Sequence, residues 1–386
     1  MGGAGGVGGV DGVRPDAPGA DRSGPVLPDY GGACLDGVVP AVLALPGHRP
    51  AWLPPPASSA SQVVLFVLDG LGWDQLVERP ELAPFLTSMV GRAITSVVPT
   101  TTATALTSIT TGLAPAAHET VGYRVKMGAD VLNVLRWRAG GADARQTVPP
   151  AEFQTQPVFQ GLAPPVVTRA EFAASGFTMA HLAGTVLHGW RLPSTLIAHV
   201  DRLLNAGERF VYAYYDGIDK VAHEYGFGPY YDAELRQTDR LVADVASVLP
   251  AGAALVVTSD HGQVEVGDAV IDVGRPVSDD VSAMSGEGRF RWLHAKAGTA
   301  ERLAERAAAE FGDVAWVRTV DELDADRWFG GPLSKVSRTR LGDVALIARS
   351  PIAFLDPADP GEARLRCRHG SVTSAEMWVP LLVTAG

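Results

Sequence analysis

From residue 62 onward, apolar residues fall in short unbroken runs. The first is VVLFVL (63–68), and others follow at 94–98, 177–182, 210–215, 254–258, 344–348 and 379–384. Runs of this length, rich in β-branched residues and without polar alternation, predict strands buried on both faces, as in parallel sheets. Helical periodicity lies between several of them. It is clearest over 232–249, where Leu235, Leu241, Val242, Val245 and Leu249 share a face and Asp232 is placed as N-cap. Strands alternating with helices predict an α/β fold with a doubly wound, mostly parallel sheet and helices on both faces.

Residues 265–345 break this rhythm. RFRW (289–292) alternates as a half-exposed strand does. The stretch 299–311 reads as a helix stopped by Gly312, and 314–317 as another short strand. The expectation is a small α+β insertion at 265–345. The start of the chain is different again. Seven glycines lie within residues 1–12, and prolines recur from Pro15 to Pro56. Such a composition buries too little apolar area to offset its ordering entropy. Residues 1–60 are therefore expected to be a mobile tail to about residue 25 followed by an extended arm, on which 35–45 (LDGVVPAVLAL) can dock. Residues 61–386 form the expected catalytic domain.

Composition narrows the function. The chain has 386 residues, 46% hydrophobic and 19% charged, enough for a large core. Its net charge of −11 argues against nucleic acid duplexes as the main partner. Two cysteines, Cys34 and Cys367, give neither a disulfide framework nor a Cys-rich zinc cage. No run is long enough to span a membrane, and the N-terminus lacks the basic and apolar regions of a signal peptide. The protein is expected to be soluble and cytoplasmic, without a membrane partner. Oligomeric state is not legible.

Chemistry concentrates after the strands, where open α/β sheets bind ligands. Asp69 follows the first run, Asp216 and Asp219 follow 210–215, and Asp260 and His261 follow 254–258. His369 precedes the last run. A lone Asp at a strand end is most often a turn or helix cap, but four such clusters exceed what caps require. Asp219 and His223 are four apart, so one helical face carries both, and His369 completes a three-ligand set with an open position. Asp69, Asp260 and His261 make a second set. Mixed imidazole and carboxylate donors suit zinc, or manganese, better than magnesium. The PTTTATA loop (99–105) enters a helix and supplies hydroxyls at its positive end. The other histidines, His48, His118, His181, His188, His199 and His294, show no ligand pattern and read as structural.

Together these motifs resemble the alkaline phosphatase superfamily, and within it the nucleotide pyrophosphatase/phosphodiesterase family. The resemblance covers residues 62–386. It rests on the aspartate of LDGLG, on Pro-Thr-x-Thr leading to Thr-Gly-Leu, on Asp219-x-x-x-His223-x-x-Gly226, on Ser259-Asp-His-Gly262 and on His369-Gly370. The spacing from Pro99 to Gly112 aligns Thr102 with the family's nucleophile. The resemblance implies an alkaline-phosphatase-like fold. It implies two divalent cations, one held by Asp219, His223 and His369, the other by Asp69, Asp260 and His261, with Thr102 reaching both. It further implies a two-step hydrolysis of a small phosphate ester or nucleotide-like substrate through a phospho-threonine. One departure stands out. Many members carry an Asn three residues past the nucleophile to hold a phosphoryl oxygen, where this chain has Ala105. Arg124 and Lys126, with Tyr123, are the expected substitutes. The departure leaves a phosphomonoesterase, or a non-catalytic phospholigand-binding relative, as alternatives to a diesterase. Specificity is expected from 123–150 and 265–345, which lie over the strand ends.

Overall fold

Seven strands build the main sheet: β1 (Gln62–Leu68), β2 (Val90–Thr95), β3 (Pro165–Arg169), β4 (Val186–Trp190), β5 (Phe210–Tyr215), β6 (Ala253–Thr258) and β7 (Trp378–Ala385). In this computed structural model, which describes residues 24–45, 48–359 and 361–386, their order is β2-β7-β6-β1-β5-β3-β4. Only β7 runs against the others, pairing antiparallel with β6 and with β2. The sheet is mostly parallel, as expected.

β1 lies at the centre, and its unbroken apolar run is explained by two covered faces. Val63, Leu65 and Val67 point into one core with α1 (Leu35–Leu43) and α2 (Thr102–Thr111). Val64, Phe66 and Leu68 point into the other, with Leu235, Val242 and Val245 of a long helix, Pro229–Ser247, and Leu196 and Val200 of Pro193–Asn205. Each of these side chains, taken fully out of water, contributes about 1.5–3 kcal/mol.

Several expectations need correction. The run 177–182 is not a strand. It lies in α3 (Gly176–His181), whose first turn is fixed by Ser175 Oγ accepting from Thr178 N at 3.0 Å. A short apolar run is compatible with either state, and the cap decides it. The neighbouring strands β3 and β4 went unread because Pro, Thr, Arg and His dilute their apolar character. The long helix begins at Pro229, with proline in the first turn and Gly228 as N-cap, so Asp232 sits inside it. The run 344–348 belongs to a second, four-stranded antiparallel sheet, ordered Val281–Glu287, Phe290–Ala295, Val344–Ala348, Ala315–Thr319. The helix Ala300–Phe311 packs on it.

In that second sheet the alternating RFRW segment is buried throughout. Arg289 and Arg291 are both fully covered. Arg289 forms a two-pronged pair with Glu376 at 2.7 and 2.8 Å, and Arg291 pairs with Glu362 at 2.5 Å. Acids from distant segments neutralise positions that the pattern assigned to solvent. Within the proline-rich start, Leu35–Leu43 is helical rather than extended, and Leu35, Val38 and Val39 have no exposure. The tail expected to about residue 25 falls outside the described residues except for its last two.

Candidate functional site

β1, β5 and β6 run parallel and end level. Val67 lies beside Thr258 and Tyr214, and Leu68 beside Tyr215. The segments that leave these three strands therefore emerge at one edge: Asp69 after β1, Asp216 and α4 (Gly217–Tyr225) after β5, Asp260 and His261 after β6. Two backbone bonds hold the loops in step, Asp69 N to Tyr215 O at 2.9 Å and Asp219 N to Asp69 O at 3.2 Å. Gly70 permits the approach. Its φ is +77°, and a Cβ there would stand 2.6 Å from Gln263 Nε2 and 2.9 Å from the Asp219 Cβ.

Two donor groups form at this edge. Asp219, His223 and His369 offer atoms all within 4.8 Å of one another, and so do Asp69, Asp219 and His261. Asp219 is common to both, which its place in a single set did not foresee. Asp260 lies against the second group, its Oδ2 3.3 Å from His261 Nε2, while Asp69 Oδ1 is 3.5 Å from the same nitrogen. His223 Nε2 is 3.2 Å from Asp219 Oδ1, and His369 Nε2 is 3.9 Å from it.

The three imidazoles are aimed by main-chain carbonyls. His223 Nδ1 meets Cys367 O at 2.7 Å, His261 Nδ1 meets Gly262 O at 3.1 Å and His369 Nδ1 meets Thr100 O at 2.8 Å. A carbonyl can only accept, so each Nδ1 carries the proton and each Nε2 presents its lone pair inward, the tautomer a metal ligand needs. His369 and His261 stack, with centroids 3.6 Å apart.

The donor set fits bound cations. Asp69 Oδ1 and Asp260 Oδ2 are buried and have no hydrogen-bond partner among the described residues. A buried carboxylate oxygen without a partner is costly. Burial pushes the Asp69 carboxyl well above the usual carboxylate range, and Asp260 and Asp219 add to it; Tyr214 OH, which donates to Asp69, works the other way. Burial also raises Asp219. Burial holds the His369 imidazole well below its usual value, with His261 and His223 contributing. Dications among these groups would relieve both the crowded acids and the orphaned oxygens.

Thr102 opens α2, with Thr101 as N-cap, and its Oγ1 lies 3.1 Å from His261 Nε2. Thr100 ties this loop to the segment carrying His369: Gly370 N donates to Thr100 Oγ1 at 3.0 Å, and Thr100 N donates to Gly370 O at 3.2 Å. Thr100 went unassigned because its partner is 270 residues away, beyond any spacing argument.

Two cavities meet at Thr102. One, of about 260 Å³, is walled by Thr101, Tyr123, His223, Glu287 and His369. The other, of about 380 Å³, is largely apolar and lined by Leu106, Phe172, Phe177, Tyr212 and Tyr214. Thr102, Leu135, Arg136 and Asp219 line both.

Of the three expected substrate contacts, only Tyr123 lines these cavities, its OH accepting from Asn133 Nδ2 at 2.6 Å. Arg124 is buried and committed to Asp356, with Asp359 at 3.7 Å. Lys126 lies near His294, on neither cavity wall. The acid that engages Arg124 and the strand that carries Lys126 away are tertiary features, which spacing does not show. Arg136, which lines both cavities, was not among the expected contacts; its only signal was its place in the 123–150 stretch.

No described helix is long and apolar enough to cross a membrane. A comparison with curated proteins finds no match. Among solved structures, murine ectonucleotide pyrophosphatase/phosphodiesterase 5 is 16% identical with a TM-score of 0.65, covering 84% of this chain and 88% of that one. A structure of its inactive variant holds AMP. Phosphonoacetate hydrolase from Sinorhizobium meliloti 1021, in complex with phosphonoformate, is 19% identical with a TM-score of 0.58, covering 84% of this chain and 90% of that one. At such identities these likenesses establish the fold. The family model for type I phosphodiesterase/nucleotide pyrophosphatase matches residues 63–371, from the first residues of β1 to just past His369. The chain therefore belongs to the type I phosphodiesterase/nucleotide pyrophosphatase family and is a hydrolase of phosphoester bonds.

Proposed function

We propose that residues 61–386 form a two-metal phosphodiesterase or nucleotide pyrophosphatase that works through Thr102. The observation that carries this reading is the Thr102 hydroxyl, 3.1 Å from His261 Nε2 at the start of a ten-residue helix and beside both donor groups. Asp219, His223 and His369 would hold one cation. Asp69, Asp260 and His261 would hold the other, with Asp219 near enough to serve both. The donor mixture suits zinc, with manganese second. When bound, such cations acidify a hydroxyl and neutralise phosphoryl charge, as they lower the pKa of bound water from about 15.7 to about 7.

The protein's own groups do the rest. Thr102 Oγ1 gives up its proton to solvent and forms a bond to phosphorus while the bond to the leaving oxygen breaks, and the leaving oxygen takes up a proton from water. The N-terminal end of α2, which Thr102 opens, would set its free amides and helix dipole near the phosphoryl group, where negative charge is favoured. Water then attacks the phospho-threonine, releasing phosphate or a monoester and restoring the hydroxyl. The AMP held by the murine relative and the phosphonoformate held by the bacterial one are consistent with a small nucleotide or phosphorus oxyanion as substrate here.

The test combines metal analysis with a substrate panel. Zinc-loaded protein is expected to turn over bis-p-nitrophenyl phosphate and a nucleotide diphosphate ester faster than p-nitrophenyl phosphate. Thr102→Ala is expected to lower turnover by at least about 10³-fold while keeping the metal content. Faster monoester turnover would replace the diesterase reading with a phosphomonoesterase. Full activity in Thr102→Ala would remove the nucleophile. Two tightly held zincs without activity on any ester would leave a phospholigand-binding protein.

A further inference from the structure

We propose that Arg136 selects substrates that carry a second anionic group, a carboxylate or a further phosphate, beyond the scissile phosphoryl; the inference rests on the phosphohydrolase reading above. Arg136 stands where the two cavities meet and lines both, together with Thr102. It also lines the wide cleft of about 740 Å³ that runs from there under the second sheet. Arg136 is thus on the wall of each of these three spaces.

The backbone beneath Arg136 is fixed while its guanidinium is uncommitted. Arg136 N donates to Asn133 Oδ1 at 3.0 Å. The next residue, Trp137, takes a φ of +53°, which a bulky side chain rarely adopts. Packing holds it there: Trp137 is 1% exposed, its indole N–H donates to Val148 O at 2.8 Å, and its ring meets Phe153 edge-on at 5.2 Å. Strain retained beside a cavity suggests a selected orientation. Yet the Arg136 guanidinium makes no hydrogen bond or ion pair among the described residues, and the residue is exposed.

The other cations on the two cavity walls differ. Arg368 is buried and donates to Leu365 O and Ala363 O, with its Nη1 left without a partner among the described residues, and Lys220 pairs with Asp216 at 2.5 Å. Asp359, which shares the smaller cavity with Arg136, stands 3.7 Å from Arg124; burial raises its carboxyl, and both Arg124 and Arg136 act against that rise. In a chain of net charge −11, Arg136 is the exposed arginine on the walls of these two cavities, and it has no ion pair among the described residues. The scissile phosphoryl already has the donor-held cations and the amides of α2, so Arg136 answers charge elsewhere in the substrate. A guanidinium, with its planar fork of donors, matches a carboxylate or phosphate better than an ammonium does.

The test uses arylphosphonates, in which displacement at phosphorus would have to expel an unstabilised aryl carbanion. Affinities of the zinc-loaded full chain are measured for phenylphosphonate, 4-carboxyphenylphosphonate and 1,4-phenylenediphosphonate. A charge-assisted contact is expected to give the doubly acidic ligands an advantage of about 10- to 100-fold over phenylphosphonate in the wild type. The carboxylate and phosphonate arms show which second group is preferred. In Arg136→Gln the advantage is expected to collapse to less than about threefold, and in Arg136→Lys to return in part. A wild type without the advantage overturns the inference, as does an advantage that survives in Arg136→Gln. Equal weakening of all three ligands in Arg136→Gln would assign the side chain to the phosphonyl group itself and also overturn it. If the wild type hydrolyses phosphate esters and still shows no advantage, this inference falls alone. If it hydrolyses none, the functional reading falls and takes this one with it.

Discussion

Asp219 belongs to both donor groups, and no neighbouring ligand does. Its Oδ1 already accepts from Gln263 Nε2 at 2.9 Å, which fixes the carboxylate between the two sets. Asp219→Asn keeps the shape and removes the charge. Metal content measured by atomic emission is expected to fall from two per chain to less than one, whereas His223→Ala is expected to lose only one. An Asp219→Asn protein that keeps both metals would show that each site is complete without it. The candidate ligand residues were legible because most follow or precede an apolar run, so strand ends alone bring Asp69, Asp260 and His261 together, while His223 was marked by its spacing from Asp219. The shared role of Asp219 was not legible, because it depends on how far α4 leans toward β1. Nor was the difference between Arg124 and Arg136. Both are basic residues in the same stretch, and only the fold buries one against Asp356 and leaves the other unpaired at the cavity mouth.

At the scale of elements, the central strands could be read because two covered faces demand unbroken apolar residues. The strands β3 and β4, toward one edge of the sheet, and the helix α3 could not, since a cap or a diluting polar residue decides them. Ser175→Ala removes the cap of α3 and is expected to cost about 1 kcal/mol, seen as a lower urea midpoint; no change would mean that packing alone holds that turn. The second sheet carries a heavier dependence. Glu376 meets Arg289 with both oxygens, and it also accepts from Ser371 N at 2.9 Å, just beyond His369. Gly262 N, next to His261, donates to Glu376 O at 2.9 Å. This one residue therefore joins the second sheet to both histidine loops, by its side chain to the His369 loop and by its main-chain carbonyl to the His261 loop. Glu376→Gln leaves the Arg289 charge buried without a counter-charge and is expected to cost about 3–5 kcal/mol. The zinc affinity of whatever remains folded is expected to fall with it. Loss of stability with unaltered zinc affinity would separate the pair from the site.

Across the whole molecule, three buried histidines outside the donor groups set an acid limit on stability. Burial holds His118 down to about 3, with the Arg340 guanidinium adding to the effect; burial likewise holds His181 and His294 down to about 4. His118 is locked in one neutral form. Thr120 N donates to its Nδ1 at 3.1 Å, so Nε2 carries the proton and donates to Ser108 Oγ at 2.8 Å. In the unfolded chain each imidazole takes up a proton near pH 6.5. Between that pH and the folded value the unfolded state binds more protons, so stability is full above about 6.5 and falls as the pH drops. Each histidine contributes a slope of up to about 1.4 kcal/mol per pH unit in that window, ending near pH 3 for His118 and near pH 4 for the other two. Urea midpoints measured from pH 7 to pH 4.5 on metal-free protein carry this fall, opposed by the raised carboxyls of Asp69 and Asp219, which take up protons more readily in the folded state. His118→Gln, which cannot protonate, is expected to flatten that slope by up to about 1.4 kcal/mol per unit even if it lowers stability at pH 7. An unaltered slope in this variant would mean that His118 accepts a proton in the folded state at its ordinary pH. The helix that carries Ser108, and at its other end Thr102, would then have to tolerate a buried imidazolium.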